Sequence, residues 1–178
     1  VQLRGTADAL RFVQAAGELA GIEEKILIGE GEPGFFTRIL YRRFGSLWTY
    51  AVAERPAPEE AFRPAPETPT LQELEEVYRS AEIDGGAKVL GIIGNPVSHS
   101  RSPLIHNGWL RDAGLHAVYI PFLVDEPKAF FRIAEELPVD GFSVTVPHKQ
   151  AVISELDEVD PAVKKIGEVD LVLCGKQA

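Results

Sequence analysis

Two serines, Ser100 and Ser102, stand one residue apart directly before Pro103 in the run GIIGNPVSHSRSPLIHN at 91–107. A second run, SVTVPHK at 143–149, places Thr145 and Lys149 four residues apart at the end of a strand-like segment. Proline suits the first position of a helix, where its missing N–H has no partner to lose. Ser102 then falls at the N-cap, where its oxygen accepts a backbone N–H, and for a lone Ser-Pro that capping role is the usual explanation. The same geometry also opens a helix mouth that attracts a carboxylate, with Ser100 and Ser102 as added donors. GIIGNP does not fit G-x-G-x-x-G, so the turn suits a small acid better than a dinucleotide. Together with Thr145 these groups form a hydroxyl-rich site for a small polyhydroxylated acid.

Lys149 follows a strand's C-terminal end, where open α/β sheets gather ligands. The plainer alternative is a solvated lysine in a first helical turn, where it opposes the helix dipole. An amine exchanges protons near neutral pH only if burial or a neighbouring cation lowers its pKa; His148 and Arg101 are the candidate neighbours. His99, His106 and His116 read as surface or packing residues, and no histidine pair has metal-binding spacing. The acidic residues of 155–160 read as a solvated run.

Strands alternating with helices must position these groups. After Asp84-Gly85-Gly86 the expected order is strand 88–94, helix 103–113, strand 117–124, helix 126–137, strand 141–146, helix 148–156, a helical turn at 161–166 and strand 169–173. That order implies βαβ units and a mainly parallel sheet. Before the break, the pattern predicts a strand end at 1–4, helix 6–20, strand 25–29, helix 35–44 and strand 47–53. Five prolines between Pro56 and Pro69 predict a loop. Thr70 with Glu73 forms a capping box for a helix over 71–83.

Composition limits the function classes. The 178 residues hold 45% hydrophobic and 25% charged residues, as in ordinary globular proteins. A net charge of -9 disfavours nucleic acid and acidic membrane as partners. The single cysteine, Cys174, excludes an internal disulfide; its apolar neighbours predict a buried strand residue. No apolar run approaches the roughly 20 residues of a membrane span, and no secretory signal is visible. A soluble, reducing, cytoplasmic setting is expected.

The run from about 89 to 172 resembles the substrate-binding domain of shikimate dehydrogenases. GIIGNPVSHSRSPLIHN, DGFSVTVPHK, LDEVDPAVKKIG and EVDLV carry the resemblance in that order. It implies that Ser100 and Ser102 hold the carboxylate of shikimate, that Thr145 contacts a substrate hydroxyl and that Lys149 assists proton transfer, with NADP as the hydride carrier. The chain departs from the family at Glu168-Val169-Asp170-Leu171, where the family usually reads A-V-N-T. Asp170 replaces an asparagine that donates to a substrate hydroxyl; a carboxylate accepts only and adds charge beside an anionic substrate. The family's N-T-D motif, whose aspartate partners the lysine, and its nucleotide-binding domain do not occur in these residues, so no NADP site is expected within them.

Residues 1–84 resemble the last part of a type I dehydroquinate dehydratase, a (β/α)8 barrel, through GEGEPGFFTRIL at 29–40 and FGSLWTY at 44–50. Arg38 matches a substrate-gripping arginine of that family. Where the family has an S-A-P-G-Q loop this chain reads Pro64-Ala65-Pro66-Glu67-Thr68, without the serine or the glutamine. The expected architecture is therefore α/β: a partial barrel segment at 1–84, a linker at 85–87 and a parallel α/β sandwich at 88–178. This order is that of fused dehydratase–dehydrogenases, and the chain resembles the middle of such a fusion. In a plant fusion the compartment would be the plastid. Barrel units alone leave apolar faces uncovered, so residues 1–84 are expected to be marginal by themselves. Two function classes follow: the substrate-binding part of a shikimate dehydrogenase, or a non-catalytic protein that binds shikimate- or quinate-like acids. The oligomeric state is left open.

Overall fold

The apolar runs KVLGIIG, AVYIPFL and VDGFSV become three strands, β1 (Lys88–Gly94), β2 (Ala117–Leu123) and β3 (Val139–Val144). The computed structural model describes residues 1–55 and 67–175. β1 lies between β2 and β3 and pairs in parallel with both. A three-residue β4 (Leu171–Leu173) closes the far edge antiparallel to β3, giving the order β2-β1-β3-β4. The connections between parallel strands are helical, as such crossovers require: α3 (Ser102–Asp112) joins β1 to β2 and α4 (Pro127–Glu136) joins β2 to β3. The mainly parallel α/β sheet anticipated from the sequence is present.

Strand alternation gives the sheet two unequal faces. Val89, Ile93, Val118, Ile120, Phe142, Val144 and Val172 point into the main core, together with Phe130 and Ile133 of α4. Leu90, Ile92 and Tyr119 point the other way into a smaller cluster with Leu110 of α3. On that side Leu171 and Leu173 remain mostly exposed.

The first half packs onto the larger face. Helix α1 (Thr6–Glu18) presents Ala9, Phe12, Val13 and Ala16 to the core, and α2 (Phe35–Ile39) presents Phe36 and Ile39. The Phe36 ring lies 5.6 Å from that of Phe122 in β2, and Phe12 meets Phe44 edge-on at 5.6 Å. One apolar cluster therefore runs through both halves. Such aromatic pairs add to plain burial because ring edges and faces attract.

Several expected elements differ in the first half. Residues 25–29 and 47–53 form no ladder among the described residues. Their place is taken by isolated parallel bridges, Gln2 with Glu30 and Val52 with Thr70. The helix expected over 35–44 ends at Ile39, with Gly45 in the left-handed region closing the turns that follow. The capping box forms in both directions: Glu73 N–H donates to Thr70 Oγ1 at 3.1 Å and Thr70 N–H to Glu73 Oε2 at 2.7 Å. Its helix does not reach 83, because the chain widens into a π turn over Glu73–Val77 and Arg79 adopts φ 48°. The proline-rich loop lies outside the described residues over 56–66. In the second half, residues 148–156 give a 3-10 turn, Ala151–Glu155, instead of a regular helix. Helix α5 (Pro161–Ile166) is capped by Asp160, whose side chain accepts from Ala162 N–H, and ends at Gly167 with φ 82°. Cys174 is exposed rather than buried, because it lies past the end of β4, although its N–H still donates to the Asp140 carbonyl at 3.0 Å. Partial desolvation and nearby Asp140 raise its thiol pKa.

Two polar joints hold the packing. Buried Asn107 of α3 donates from Nδ2 to the Tyr119 carbonyl and accepts the Tyr119 N–H at Oδ1, both at 2.8 Å. One amide thus satisfies both backbone groups of Tyr119 on the edge of β2, which would otherwise be open to strand pairing. At the other end of β2, Asp125 accepts from Thr6 N–H at 2.7 Å and from Thr6 Oγ1 at 2.5 Å, while Asp125 N–H donates back to Thr6 Oγ1 at 2.9 Å. A residue of the second half therefore caps the first turn of α1.

Asn107→Ala is expected to cost about 2 kcal/mol in urea unfolding, since it strands two buried backbone groups. The Thr6 hydroxyl, foremost, and adjacent backbone N–H groups hold the Asp125 carboxyl below its usual value. A depressed carboxyl contributes stability above its unfolded pKa of roughly 4, and that contribution disappears as pH falls through the lower folded value. Asp125→Ala should cost about 1 kcal/mol at pH 7. The gap to the parent chain should narrow steadily below about pH 4 in urea titrations.

Candidate functional site

The C-terminal ends of β1 and β3 meet side by side and set the frame of the site. Thr145 N–H donates to the Ile93 carbonyl at 3.0 Å and Asn95 N–H to the Val146 carbonyl at 3.1 Å. Both loops turn through cis prolines, Asn95–Pro96 and Val146–Pro147. Close approach explains Gly94: a Cβ there would stand 2.4 Å from the Thr145 methyl and 3.2 Å from the Val146 carbonyl oxygen. The glycine at the end of GIIG is thus required by the loop that carries Thr145.

At the helix mouth, the expected capping differs in detail. Arg101 occupies the N-cap position without a side-chain cap, and Ser102 is the first helical residue with Pro103 next. Ser102 N–H donates to Ser100 Oγ at 3.2 Å, so Ser100 supplies the local cap that Ser102 was expected to give. His106 Nδ1 lies 2.9 Å from the Ser102 carbonyl and its ring stacks on Tyr119 at 4.2 Å, a packing role.

Lys149 has a partner that the sequence alone did not place. Its Nζ forms an ion pair with Asp170 Oδ1. Two backbone bonds bring them together: Val144 N–H donates to the Asp170 carbonyl at 2.8 Å and Val169 N–H to the Lys149 carbonyl at 2.9 Å. The hydrogen bond to Asp170 raises the Lys149 pKa above its ordinary value, with the charges of Asp170 and Glu168 adding to it. The condition for proton exchange near neutral pH, a lowered pKa, is not met: Lys149 is an ammonium at neutral pH. His148 is not its neighbour. It is buried with Nε2 2.6 Å from the Val124 carbonyl, which can only accept, so that nitrogen carries the proton.

Ser100 also lines a cavity of about 120 Å³ whose other wall comes from the first half. Glu32, Phe35, Glu67, Glu73 and Tyr78 contribute to it, as does Arg55, which pairs with Glu73 at 3.2 Å. Glu67 Oε1 accepts from Gly31 N–H at 2.9 Å, and burial, with Glu73 adding, pushes the Tyr78 phenol well above its usual pKa. Ser102, Thr145, Lys149 and Asp170 do not line this cavity. Arg38 is buried elsewhere; desolvation lowers its pKa against the pull of Glu67 and Glu30, and its Nε has no hydrogen-bond partner among the described residues. The structure thus joins Thr145 to the Gly94 turn and Lys149 to Asp170, and leaves Arg38 apart from both. Among the described residues no group of acidic, histidine and cysteine side chains could hold a metal ion, and no helix is long and apolar enough to cross a membrane.

Sequence reasoning overlooked Asn107, Asp125 and the acidic wall of the Ser100 cavity. Asn107 had a signal: Pro103, Asn107 and Leu110 recur at helical spacing, so a lone amide lies on the sheet-facing stripe. Asp125 and Glu32 act across 119 and 68 residues of sequence respectively, and no local pattern marks such contacts.

The chain matches two families in tandem. Residues 92–172 match the family model described as shikimate dehydrogenase substrate binding domain, and residues 3–84 match type I 3-dehydroquinase. The bifunctional 3-dehydroquinate dehydratase/shikimate dehydrogenase of Arabidopsis thaliana, a chloroplastic protein, is 38% identical over 143 residues, covering 80% of this chain and 23% of that protein. The NADP(+) shikimate dehydrogenase of Nostoc is 46% identical over 51% of this chain and 32% of its own length. A crystal structure of shikimate dehydrogenase from Aquifex aeolicus is 41% identical over 51% of this chain and 35% of its own, with a TM-score of 0.49. The chain therefore spans a quarter to a third of the relatives it matches.

Gly94→Ala is expected to displace the Thr145 loop and cost about 1–3 kcal/mol. The Thr145 amide should shift markedly in a two-dimensional NMR spectrum while Ala9 and Phe12 in α1 stay unchanged.

Proposed function

We propose that residues 88–178 are the substrate-binding part of a shikimate dehydrogenase-type oxidoreductase, binding shikimate or 3-dehydroshikimate at the ends of β1 and β3. The observation that carries this reading is that both matched motifs converge on those two strand ends, with the Lys149–Asp170 ion pair four residues beyond hydroxyl-bearing Thr145. Ser100 and Ser102 at the mouth of α3 provide donors suited to a carboxylate. Lys149 holds its proton at Nζ and is suited to stabilise, by charge and hydrogen bond, an oxygen that gains charge as a ketone is reduced.

The relatives are named for NADP(+), and the cofactor of the complete activity would be NADP. The described residues do not fit it. β1 ends in a cis Asn95–Pro96 turn instead of a glycine-rich cradle, and the Ser102 amide at the helix start is already engaged by Ser100. We therefore assign these residues binding and orientation of the acid, and no step through the nucleotide. Residues 1–84 are read as a dehydratase-type unit and 85–87 as the linker, with Arg38 as a candidate anion contact there. The compartment we propose is cytoplasmic, or plastid if the source is a plant. The runner-up, a non-catalytic binding protein, draws support from the ion pair of Asp170 with Lys149, which raises the pKa of that amine and opposes a role for it as a base.

Calorimetric titration of the 178-residue chain with shikimate tests the reading. Ser102→Ala should weaken binding roughly fivefold and Lys149→Ala roughly tenfold or more, the scale of neutral and charge-assisted hydrogen bonds. Equal binding by all three forms would remove the assignment.

A further inference from the structure

Lys149 and Asp170 together form a matched donor and acceptor at the end of the sheet. The ammonium can only donate and the carboxylate can only accept. The backbone bonds from Val144 to Asp170 and from Val169 to Lys149 hold the two main chains together, and Val169 between them is buried. The Lys149 side chain is 31% exposed and that of Asp170 78% exposed. One ammonium proton and one carboxylate oxygen are spent on the pair, which leaves two donors on Lys149 and the second carboxylate oxygen on Asp170.

We propose that Asp170 is a specificity-determining residue that makes this site prefer an alcohol to the corresponding ketone. A secondary hydroxyl bridges the pair in both directions: its oxygen accepts from Lys149 and its proton goes to Asp170. A carbonyl oxygen in the same place satisfies Lys149 alone and faces the carboxylate with lone pairs on both sides, which is repulsive. Recognition by an acceptor that the wrong ligand cannot satisfy is the stronger form of discrimination, because it penalises the competitor as well as rewarding the substrate. The inference rests on the shikimate-type reading above and refines it: the substrate domain favours the reduced, hydroxyl-bearing acid.

The test compares shikimate with 3-dehydroshikimate on the 178-residue chain and on Asp170→Asn, by calorimetry. The two ligands carry the same carboxylate, so the repulsion between that charge and Asp170 cancels when their affinities are taken as a ratio. An amide can donate as well as accept, so it serves a carbonyl. The shikimate preference is expected to fall about tenfold in Asp170→Asn. Rates of Lys149 acetylation by acetic anhydride, read by mass spectrometry, should rise in the variant as the amine loses its partner. An unchanged ratio, with both ligands still weakened by Lys149→Ala, overturns the role of Asp170 and leaves the binding reading standing. An unchanged acetylation rate overturns the pair itself. If neither ligand binds the parent chain, the functional reading falls and this inference falls with it.

Discussion

The backbone bond from Val144 N–H to the Asp170 carbonyl, 2.8 Å long, is the constraint on which the site depends. It extends the antiparallel join between β3 and β4 beyond the ladder and turns the segment between them into a closed loop. With its companion from Val169 to Lys149, it places a lysine and an aspartate 21 residues apart in sequence within contact. The parallel join between β1 and β3 then sets the strand end that leads to Lys149 beside the Gly94 turn. Charge at the site follows from that geometry. An amine meant to act as a base needs burial without an acidic partner, and Lys149 has the reverse.

The first half completes the sheet's large face, although its residues match a different family. Phe36 packs at a tilt against Phe122, and the α1 helix start is capped by Asp125. Apolar surface that a barrel would cover with its own strands is here covered by α4 and β2. The same docking brings Glu32, Glu67 and Glu73 to the cavity that Ser100 lines, so the electrostatics around that serine are set by both halves. An anion reaching Ser100 from this side would meet carboxylates offset in part by Arg55.

Much of the second half was legible in the sequence. The strands KVLGIIG and AVYIPFL carry dense apolar, β-branched residues, and Pro103 and Gly114 mark where α3 starts and stops. The Thr70–Glu73 box was readable because it is local and reciprocal. Residues 25–29 and 47–53 carry strand propensity but share only the backbone bond from Leu47 N–H to the Lys25 carbonyl and build no ladder among the described residues. The site was legible as residues but not as partners. Ser100, Thr145 and Lys149 stand out by type and spacing, whereas the grip of Asp170 on Lys149 depends on a long-range antiparallel join. His148, beside Lys149 in sequence, points into the core instead, because the turn after Pro147 directs it to Val124.

The central claim is that a small hydroxylated acid binds at the joined ends of β1 and β3. The most direct measurement is the side-chain ammonium NMR spectrum of the ¹⁵N-lysine-labelled chain during titration with shikimate. The account predicts that the Lys149 resonance alone among the lysines moves and saturates, with its proton exchange slowed. Movement confined to residues lining the Glu32–Tyr78 cavity, with the Lys149 ammonium unchanged at saturation, would contradict it.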